Sequence, residues 1–534
     1  MVRVIPYANL IVLNLAQAIV AVFLASEFLK QDKKNDSIEV IYARSMSNGQ
    51  YILGKTLGIL AVFLVLNLLV LMLGIGFSFM NNGSTYDVFS YFMYPLLISL
   101  PTLVFILGLS FFMMVLVKNQ AVTFIILLGY IALTIFYLYK KTYHLYDYIA
   151  YNVPMMFSSI SGFGDTSEIL YHRLIYFLIG IGLIFLTVYR LQRLPQPPGR
   201  AFVPLVIGFM FLFAGGFFIY KYLGLKQRVI DFKSDAIALN NSFIGKARVT
   251  VKQCDLKLEH QVNQISVDAG MIITNANPRP LDSIILALNP SLKINKISLN
   301  GVALPFERNM HLILAKMPAP LKNGEDAFLT LHYSGSVDER ICFLDLANKS
   351  YEDNFGLEVF TMRKRYAFLQ SNYVCLTSES FWYPVSWTGY ASQRPMFHYE
   401  DLVNYTLTVK TAAHLTAISQ GKSTKKKDGT FLFTPEYPLP KISLLIGNYS
   451  KTQIRVDSVD YVLYAIKGNE YFKSSFDHIA DTVSFLIREV KQEYEAELGL
   501  RYPYKRFVMT EVPIHFRRKN MCIPILATGF SPKC

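Results

Sequence analysis

Hydrophobic and polar residues are arranged along this chain in two different ways. Up to about residue 223 the apolar positions form long unbroken runs, near 7–25, 57–80, 93–117, 119–138, 173–189 and 202–222. A helix needs about 20 apolar residues to cross a bilayer. Six such runs in succession exclude the reading of each as a buried core helix. They predict a membrane α-helical bundle of about six transmembrane helices over 1–223. The first run is not a signal peptide, because Ala25-Ser26-Glu27 leads into a short charged stretch and then into further spans. From Ala247 the pattern switches to alternation of apolar and polar residues, the mark of half-buried strands. Arg248–Lys252, Ile284–Asn289, Lys293–Leu299, Leu312–Ala315 and Phe328–Tyr333 all alternate or run apolar, and more strands are expected near 402–410, 430–434, 442–448 and 452–466. Asn300-Gly301 sits between two of these runs and predicts a hairpin turn. The expected order is a linker over 224–246, an all-β domain over 247–466, the start of an α/β domain over 467–513, and an atypical tail over 514–534. The α/β segment opens with a helix whose Phe472, Phe476, Ile479, Val483, Ile487, Val490, Tyr494 and Leu498 recur at spacings of three and four, a packing face.

Charge adds orientation to this outline. Only 17% of the 534 residues are charged, yet the net charge is +14. Lys30, Lys33, Lys34, Arg44 and Lys55 follow the first run, Lys118 separates the third from the fourth, and Arg190, Arg193 and Arg200 separate the fifth from the sixth. The alternate loops are poor in positive charge: Asn81–Tyr91 has none, and Tyr139–His172 has only Lys140 and Lys141. By the positive-inside rule the first set is cytoplasmic, so everything after about 223 is extracytoplasmic. That scheme puts the N-terminus on the outer face, which leads one to expect a helix preceding this chain's first. The basic balance is thus explained by cytoplasmic loops, and no zinc-finger or RNA-binding signature points to nucleic acid. Five cysteines without regular spacing do not make a disulfide framework; a Cys342–Cys375 bridge stays open. The apolar runs hold almost no ionisable residue, which argues against a proton or sodium relay.

Gly49-x-x-x-x-Gly54-Lys55-Thr56 matches the phosphate-binding loop pattern. Its context is wrong. Lys55-Thr56 leads straight into a membrane span, and the variable positions include Tyr51, Ile52 and Leu53, which suit an interfacial helix. The best Asp-ending strand, Ile341–Asp345, falls on the other side of the membrane. The chain is therefore expected to bind no ATP of its own.

The same region carries a different likeness. Glu27 to Thr56, with Glu39-Val-Ile-Tyr-Ala-Arg44 and Tyr51-Ile-Leu-Gly-Lys55, resembles the cytoplasmic segment of type-two ABC exporter permeases, and the likeness covers roughly the first 220 residues. It implies a separate ABC ATPase subunit as partner, ATP bound on that partner, and Glu39, Arg44, Tyr51 and Lys55 as its contacts. A homodimer also stays open. The second half resembles the aminopeptidase N family of zinc peptidases over about 245–513. Leu281–Pro290, Ile297-Ser-Leu-Asn-Gly301, Leu331-His-Tyr-Ser-Gly335 and Phe381-Trp-Tyr-Pro384 look like its N-terminal β-domain, and Tyr502–Phe507 with Glu511-Val-Pro513 looks like the opening of its catalytic domain. The family's His-Glu-x-x-His motif is not found: no two of the nine His residues are four apart. The resemblance therefore implies no catalytic residue, no metal ligand and no cofactor in this chain, with zinc expected only in a full-length homologue. His515 is expected at the surface. The expectation is an integral membrane protein of a bacterial inner or plasma membrane, a permease subunit with a peptidase-like outer domain. A truncated membrane-anchored zinc aminopeptidase and a non-catalytic receptor or scaffold are the alternatives.

Overall fold

The computed structural model describes residues 5–34, 46–80, 88–158, 160, 162–191, 202–344, 352–354, 361–387, 400–468, 480–516 and 525–526. The chain divides into two compact units, one mainly of residues up to Arg228 and the other mainly from Val229 onward.

The first unit is helical. Its helices are α1 (Ile5–Lys34), α2 (Asn48–Met80), α3 (Val88–Tyr94), α4 (Leu100–Val117), α5 (Gln120–Phe136), α6 (Thr166–Arg190) and, as far as Arg228, α7 (Val203–Ser242), whose last turns belong to the second unit. A π-helical turn, Pro95–Ser99, joins α3 to α4. Among the described residues, five helical spans are long and apolar enough to cross a membrane, and Gln120–Phe136 is a shorter apolar helix. Each of the six predicted runs thus falls on a helix. Two boundaries differ. Helix α6 starts at Thr166, where the Asp165 side chain caps it by accepting from the Glu168 amide at 3.1 Å. That brings Glu168 and His172 into a helix the apolar run alone would have started at Arg173. Helix α7 has 40 residues, about 60 Å at 1.5 Å per residue, so the stretch set aside as a linker is helical as far as Ser242.

Glycine sets the closest helix approach. A Cβ at Gly108 would stand 2.4 Å from the Gly180 carbonyl oxygen, and one at Gly180 would stand 2.6 Å from that of Val104. Helices α4 and α6 therefore touch backbone to backbone, as small residues allow in membranes.

The second unit is built from sheets. The largest runs Lys422–Lys425, Phe431–Thr434, Asn404–Lys410, Thr250–Gln261, Gln264–Thr274, Asp326–Gly335, Leu292–Leu299, Val302–Ala303. Asn300 and Gly301 make the predicted turn, both with positive φ. Two four-stranded sheets pack with it. One contains Leu281–Ala287 and Leu312–Leu321, the other Tyr373–Leu376 and Leu444–Gly447. Ile284–Ala287, Tyr373–Leu376 and Leu444–Gly447 are buried on both faces. Ile284 and Leu286 join the main core, while Ile285 and Ala287 join a cluster with Ala236, Phe381 and Trp387. This is why they read as continuous apolar runs. The region 452–466 is a hairpin, Tyr449–Val456 with Val459–Ile466, turning at Asp457 with φ 54°. Arg506–Thr510 pairs in parallel with Val459–Ile466, and Ile525–Leu526 of the tail pairs with Val508 and Met509.

Helix α8 (Ala480–Leu498) corrects one expectation. Of the predicted face, Val483 and Ile487 are half-buried, but Val490, Tyr494 and Leu498 are 50–62% exposed, so its second half is not covered. Phe472, Phe476 and Ile479 lie outside the described residues. Cys254, Cys342 and Cys375 are free and buried, so no Cys342–Cys375 bridge forms.

Candidate functional site in the helical unit

The polar residues of the spans converge. Pro101 has no N–H, so it cannot donate to the carbonyl of Leu97, four residues earlier. The Arg173 Nε on α6 donates to that carbonyl instead, at 2.6 Å. Its Nη2 donates to the Ile98 carbonyl at 2.9 Å and to Thr102 Oγ1 at 2.7 Å, and its Nη1 donates to the Tyr148 carbonyl at 3.0 Å. Arg173 is 2% exposed. It acts as a clasp on a helix opened by the proline and the π-turn. Buried charge in a membrane protein is tolerated where backbone carbonyls receive it.

Around the clasp runs a polar seam. The Asn14 Nδ2 on α1 donates to Thr102 Oγ1 at 3.1 Å and to the Ile149 carbonyl at 2.6 Å. On α2, Asn67 donates to Gln17 Oε1 at 3.3 Å and accepts from Ser99 Oγ at 2.9 Å. All five residues are at most 1% exposed. In the loop before α6, Asp147 accepts from the amides of Asn152 at 2.7 Å and Tyr151 at 3.2 Å. Burial pushes its carboxyl up, against those two donors and the charges of His144 and Arg173. His172 Nε2 meets the His144 carbonyl at 3.0 Å, and Glu168 pairs with Lys226. Glu168, His172 and Arg173 thus place buried ionisable groups at the start of α6 that the apolar runs did not suggest.

Of the four predicted ATPase contacts, Glu39 and Arg44 lie outside the described residues. Tyr51 is buried at 5% exposure in the helical core, and Lys55 stacks over its ring at 4.8 Å. Gly49 to Thr56 forms the first turns of α2, and the Thr56 hydroxyl donates to the Ile52 carbonyl at 2.8 Å. A phosphate loop needs a run of successive amides free of helical bonds ahead of its helix; here the Tyr51 amide already donates to the Ser47 carbonyl at 3.1 Å, so the stretch is helix before its Gly-Lys-Thr is reached.

In the second unit the aromatic motif is structural. Trp382 and Tyr383 are buried in the main core, and the Tyr333 hydroxyl donates to the Trp382 carbonyl at 3.1 Å. Arg248 and Asp401 form a two-pronged ion pair at 2.7 Å for both contacts. His515 is 1% exposed, not at the surface; its carbonyl accepts from the Arg365 amide at 2.7 Å, and the neighbouring Phe516 bridges to Arg365. His398 lies outside the described residues. Among the described residues no three His, Cys, Asp or Glu side chains converge on a metal-sized centre. A catalytic zinc needs three protein ligands, so the residues described do not fit one, and no step through zinc is derived.

The fold is thus that of apolar, membrane-length helices joined to a β-rich unit. No protein-family model and no curated protein matches the sequence. Solved structures similar to part of it are zinc metallopeptidases. A two-domain M1 zinc metallopeptidase mutant bound to L-tryptophan is 18% identical with TM-score 0.32, covering 42% of this chain and 50% of that one. The M1 zinc metallopeptidase of Deinococcus radiodurans is 18% identical with TM-score 0.32, covering 42% and 49%. The chain thus spans about half the length of these structures.

Proposed function

We propose that this chain is a permease-like subunit of a membrane transporter, working with a separate ABC ATPase, and that its β-rich unit is a peptidase-like domain placed outside the membrane without a catalytic zinc centre of its own. The observation that carries the transport reading is the polar interior of the bundle. An anchor needs one apolar span and no buried Asn, Gln or Arg. Here Asn14, Gln17, Asn67, Ser99, Thr102 and Arg173 come from four helical segments and the π-turn and meet inside. Such groups in membrane helices face the bundle interior and mark pathways. ATP belongs to the partner, because the Gly-Lys-Thr stretch is helix.

The test is co-expression with an ABC ATPase encoded beside this chain, followed by purification on a tag carried by this chain. The ATPase is expected to copurify, and Arg44→Ala with Lys55→Ala to reduce its yield at least fivefold. No copurification with the unaltered chain would overturn the reading.

A second reading, a membrane-tethered zinc aminopeptidase, is favoured by the exposed apolar side of α8, which suits a helix made to pack within a larger catalytic domain. Purified chain with excess zinc and aminoacyl fluorogenic substrates separates the two. Chelator-sensitive turnover would favour the second reading.

A further inference from the structure

The loop between α5 and α6 carries the most concentrated backbone strain among the described residues. Thr142, Tyr143 and His144 follow one another with φ of 51°, 57° and 64°. Together they make a left-handed turn, closed by the Leu145 amide donating to the Thr142 carbonyl at 3.1 Å. Among L-residues only Gly, and at times Asn or Asp, enter this conformation readily, and then singly. A β-branched residue such as Thr142 is especially ill suited to it. The backbone on either side is ordinary: Lys141 is extended and Leu145 right-handed. Nor does side-chain burial impose the turn, since Thr142 and Tyr143 are exposed.

What holds the turn is a set of bonds to its carbonyls. The Tyr222 hydroxyl on α7 donates to the Tyr143 carbonyl. On α6, His172 meets the His144 carbonyl through Nε2, which must carry its proton to donate there. Tyr176, one turn further along α6, donates its hydroxyl to the Leu145 carbonyl. Three successive carbonyls are thus each taken by a ring from one of two helices. The His172 ring lies 5.3 Å from that of Tyr176 and 5.6 Å from that of Tyr222, and all three residues are at most 5% exposed. One turn beyond Tyr222, the Lys226 ammonium stands over the Tyr143 ring at 6.0 Å and over the Tyr222 ring at 5.8 Å. Strained backbone persists only where its surroundings over-determine it, and such segments concentrate at switches.

We propose that residues 142–145 are a strained strap across α6 and α7, held shut by Tyr176, His172 and Tyr222 together, and that the strap opens when either helix withdraws its hold. It is then a conformational device of the helical unit: the placing of α7 against α6 decides whether the strap is shut. Neither an ATPase nor a ligand is required, so the strap can fail while the transport reading stands, and the reverse.

The experiment follows hydrogen exchange of the Leu145 amide by mass spectrometry, with the full chain in lipid nanodiscs. Tyr222→Phe keeps the ring and removes the hydroxyl, and exchange at Leu145 is expected to speed up at least tenfold. Thr142→Gly removes strain, because Gly enters the left-handed region without steric cost, and exchange is expected to slow at least threefold. Combined with Tyr222→Phe, Thr142→Gly is expected to restore at least threefold of the lost protection. Thr142→Ala takes away the same hydroxyl but keeps a Cβ, and is expected to stay within twofold of the unaltered chain. The amides of residues 183–188 in α6 report the bundle itself and are expected to be unchanged throughout. Unchanged exchange in Tyr222→Phe would overturn the hold. Exchange that Thr142→Gly fails to slow, or that Thr142→Ala slows as much, would overturn the strain. If Tyr222→Phe also speeds exchange at 183–188, Tyr176→Phe, which removes the hold on the Leu145 carbonyl, takes its place under the same expectations.

Discussion

Lowering the pH through the histidine range is expected to destabilise the β-rich unit through one residue, His311. The residue is fully buried, its ring stacked on Phe381 at 6.0 Å and edge-on to Trp387 at 6.3 Å. Neither ring nitrogen has a hydrogen-bond partner. Burial, reinforced by the nearby charge of Arg308, lowers its pKa from 6.5 to about 4. The unfolded chain takes up this proton near pH 6.5, whereas the folded chain resists it until about pH 4. Stability is therefore full above 6.5, falls as the pH drops through the 6.5-to-4 window, and levels off below it. At about 1.4 kcal/mol per pH unit the whole window is worth about 3 kcal/mol. A folded domain is stable by only about 5–15 kcal/mol, so the loss is large. The chain's two tryptophans, Trp382 and Trp387, both lie in this unit, so tryptophan fluorescence during urea unfolding of the full chain in nanodiscs reports it alone. His311→Phe keeps the ring and removes the proton site. The variant is expected to match the unaltered chain within about 1 kcal/mol at pH 7.5 and to be more stable by about 3 kcal/mol at pH 4. Identical pH dependence of the two proteins would refute the assignment.

Gly180→Val puts side-chain atoms against the backbone of Val104 and Phe105; overpacking costs about 1–3 kcal/mol or more, and loss of the monodisperse peak in size-exclusion chromatography checks it, with Gly216→Ala, which meets nothing within 4 Å, as the silent control. Arg173→Leu removes the side-chain donors to the Leu97, Ile98 and Tyr148 carbonyls, and removing one partner from a buried charged network costs about 3–5 kcal/mol; the melting temperature of the purified chain is expected to fall, and Arg173→Lys to rescue little of it, since one ammonium cannot reach the same four acceptors. Cysteines placed at Lys33 and Arg193 are expected to label only after permeabilisation, and those at Lys422 and Asn448 in intact cells; the reverse pattern would overturn the orientation drawn from Lys and Arg placement.

Much of the architecture was legible because it rests on hydrophobic periodicity, and much of what was missed rests on single polar atoms. The six apolar runs fall on helices because long apolar stretches leave little choice. The strands from Leu281 to Tyr333 were visible for the same reason, as was the Asn300-Gly301 turn, where two successive positive φ angles select Asn and Gly. Gln264–Thr274 was missed although Ile265, Val267, Ala269, Met271 and Ile273 all face the core; Ala269 and Gly270 are small and interrupt the signal at its centre. Lys422–Lys425 gave no signal because all four residues of this edge strand are exposed. The start of α6 was misjudged because its first turns are polar and their partners lie far off in the chain. His515 is buried in a segment whose backbone pairs with that of Arg365, 150 positions earlier, and no spacing rule can foresee that.

The candidate site was hidden for a more specific reason. Pro101 in a membrane run announces a missing hydrogen bond, and that much can be read from the sequence alone. Which group supplies the missing donor cannot: Arg173 is separated from Leu97 by 76 positions. A lone Arg at the edge of an apolar run reads as a boundary residue that marks the membrane surface. Once α6 is extended back to its Asp165 cap, the same Arg lies inside the bundle, and the proline that broke one helix explains the charge buried in another. The Gly-Lys-Thr match teaches the converse. There a sequence pattern was complete and its chemistry was not, because a phosphate cradle is a loop of unpaired amides ahead of a helix, and here the helix begins at Asn48, before the pattern does. Where a chain enters a bilayer, the unmet hydrogen bonds of the backbone are a better guide to candidate chemistry than a matching string of residues.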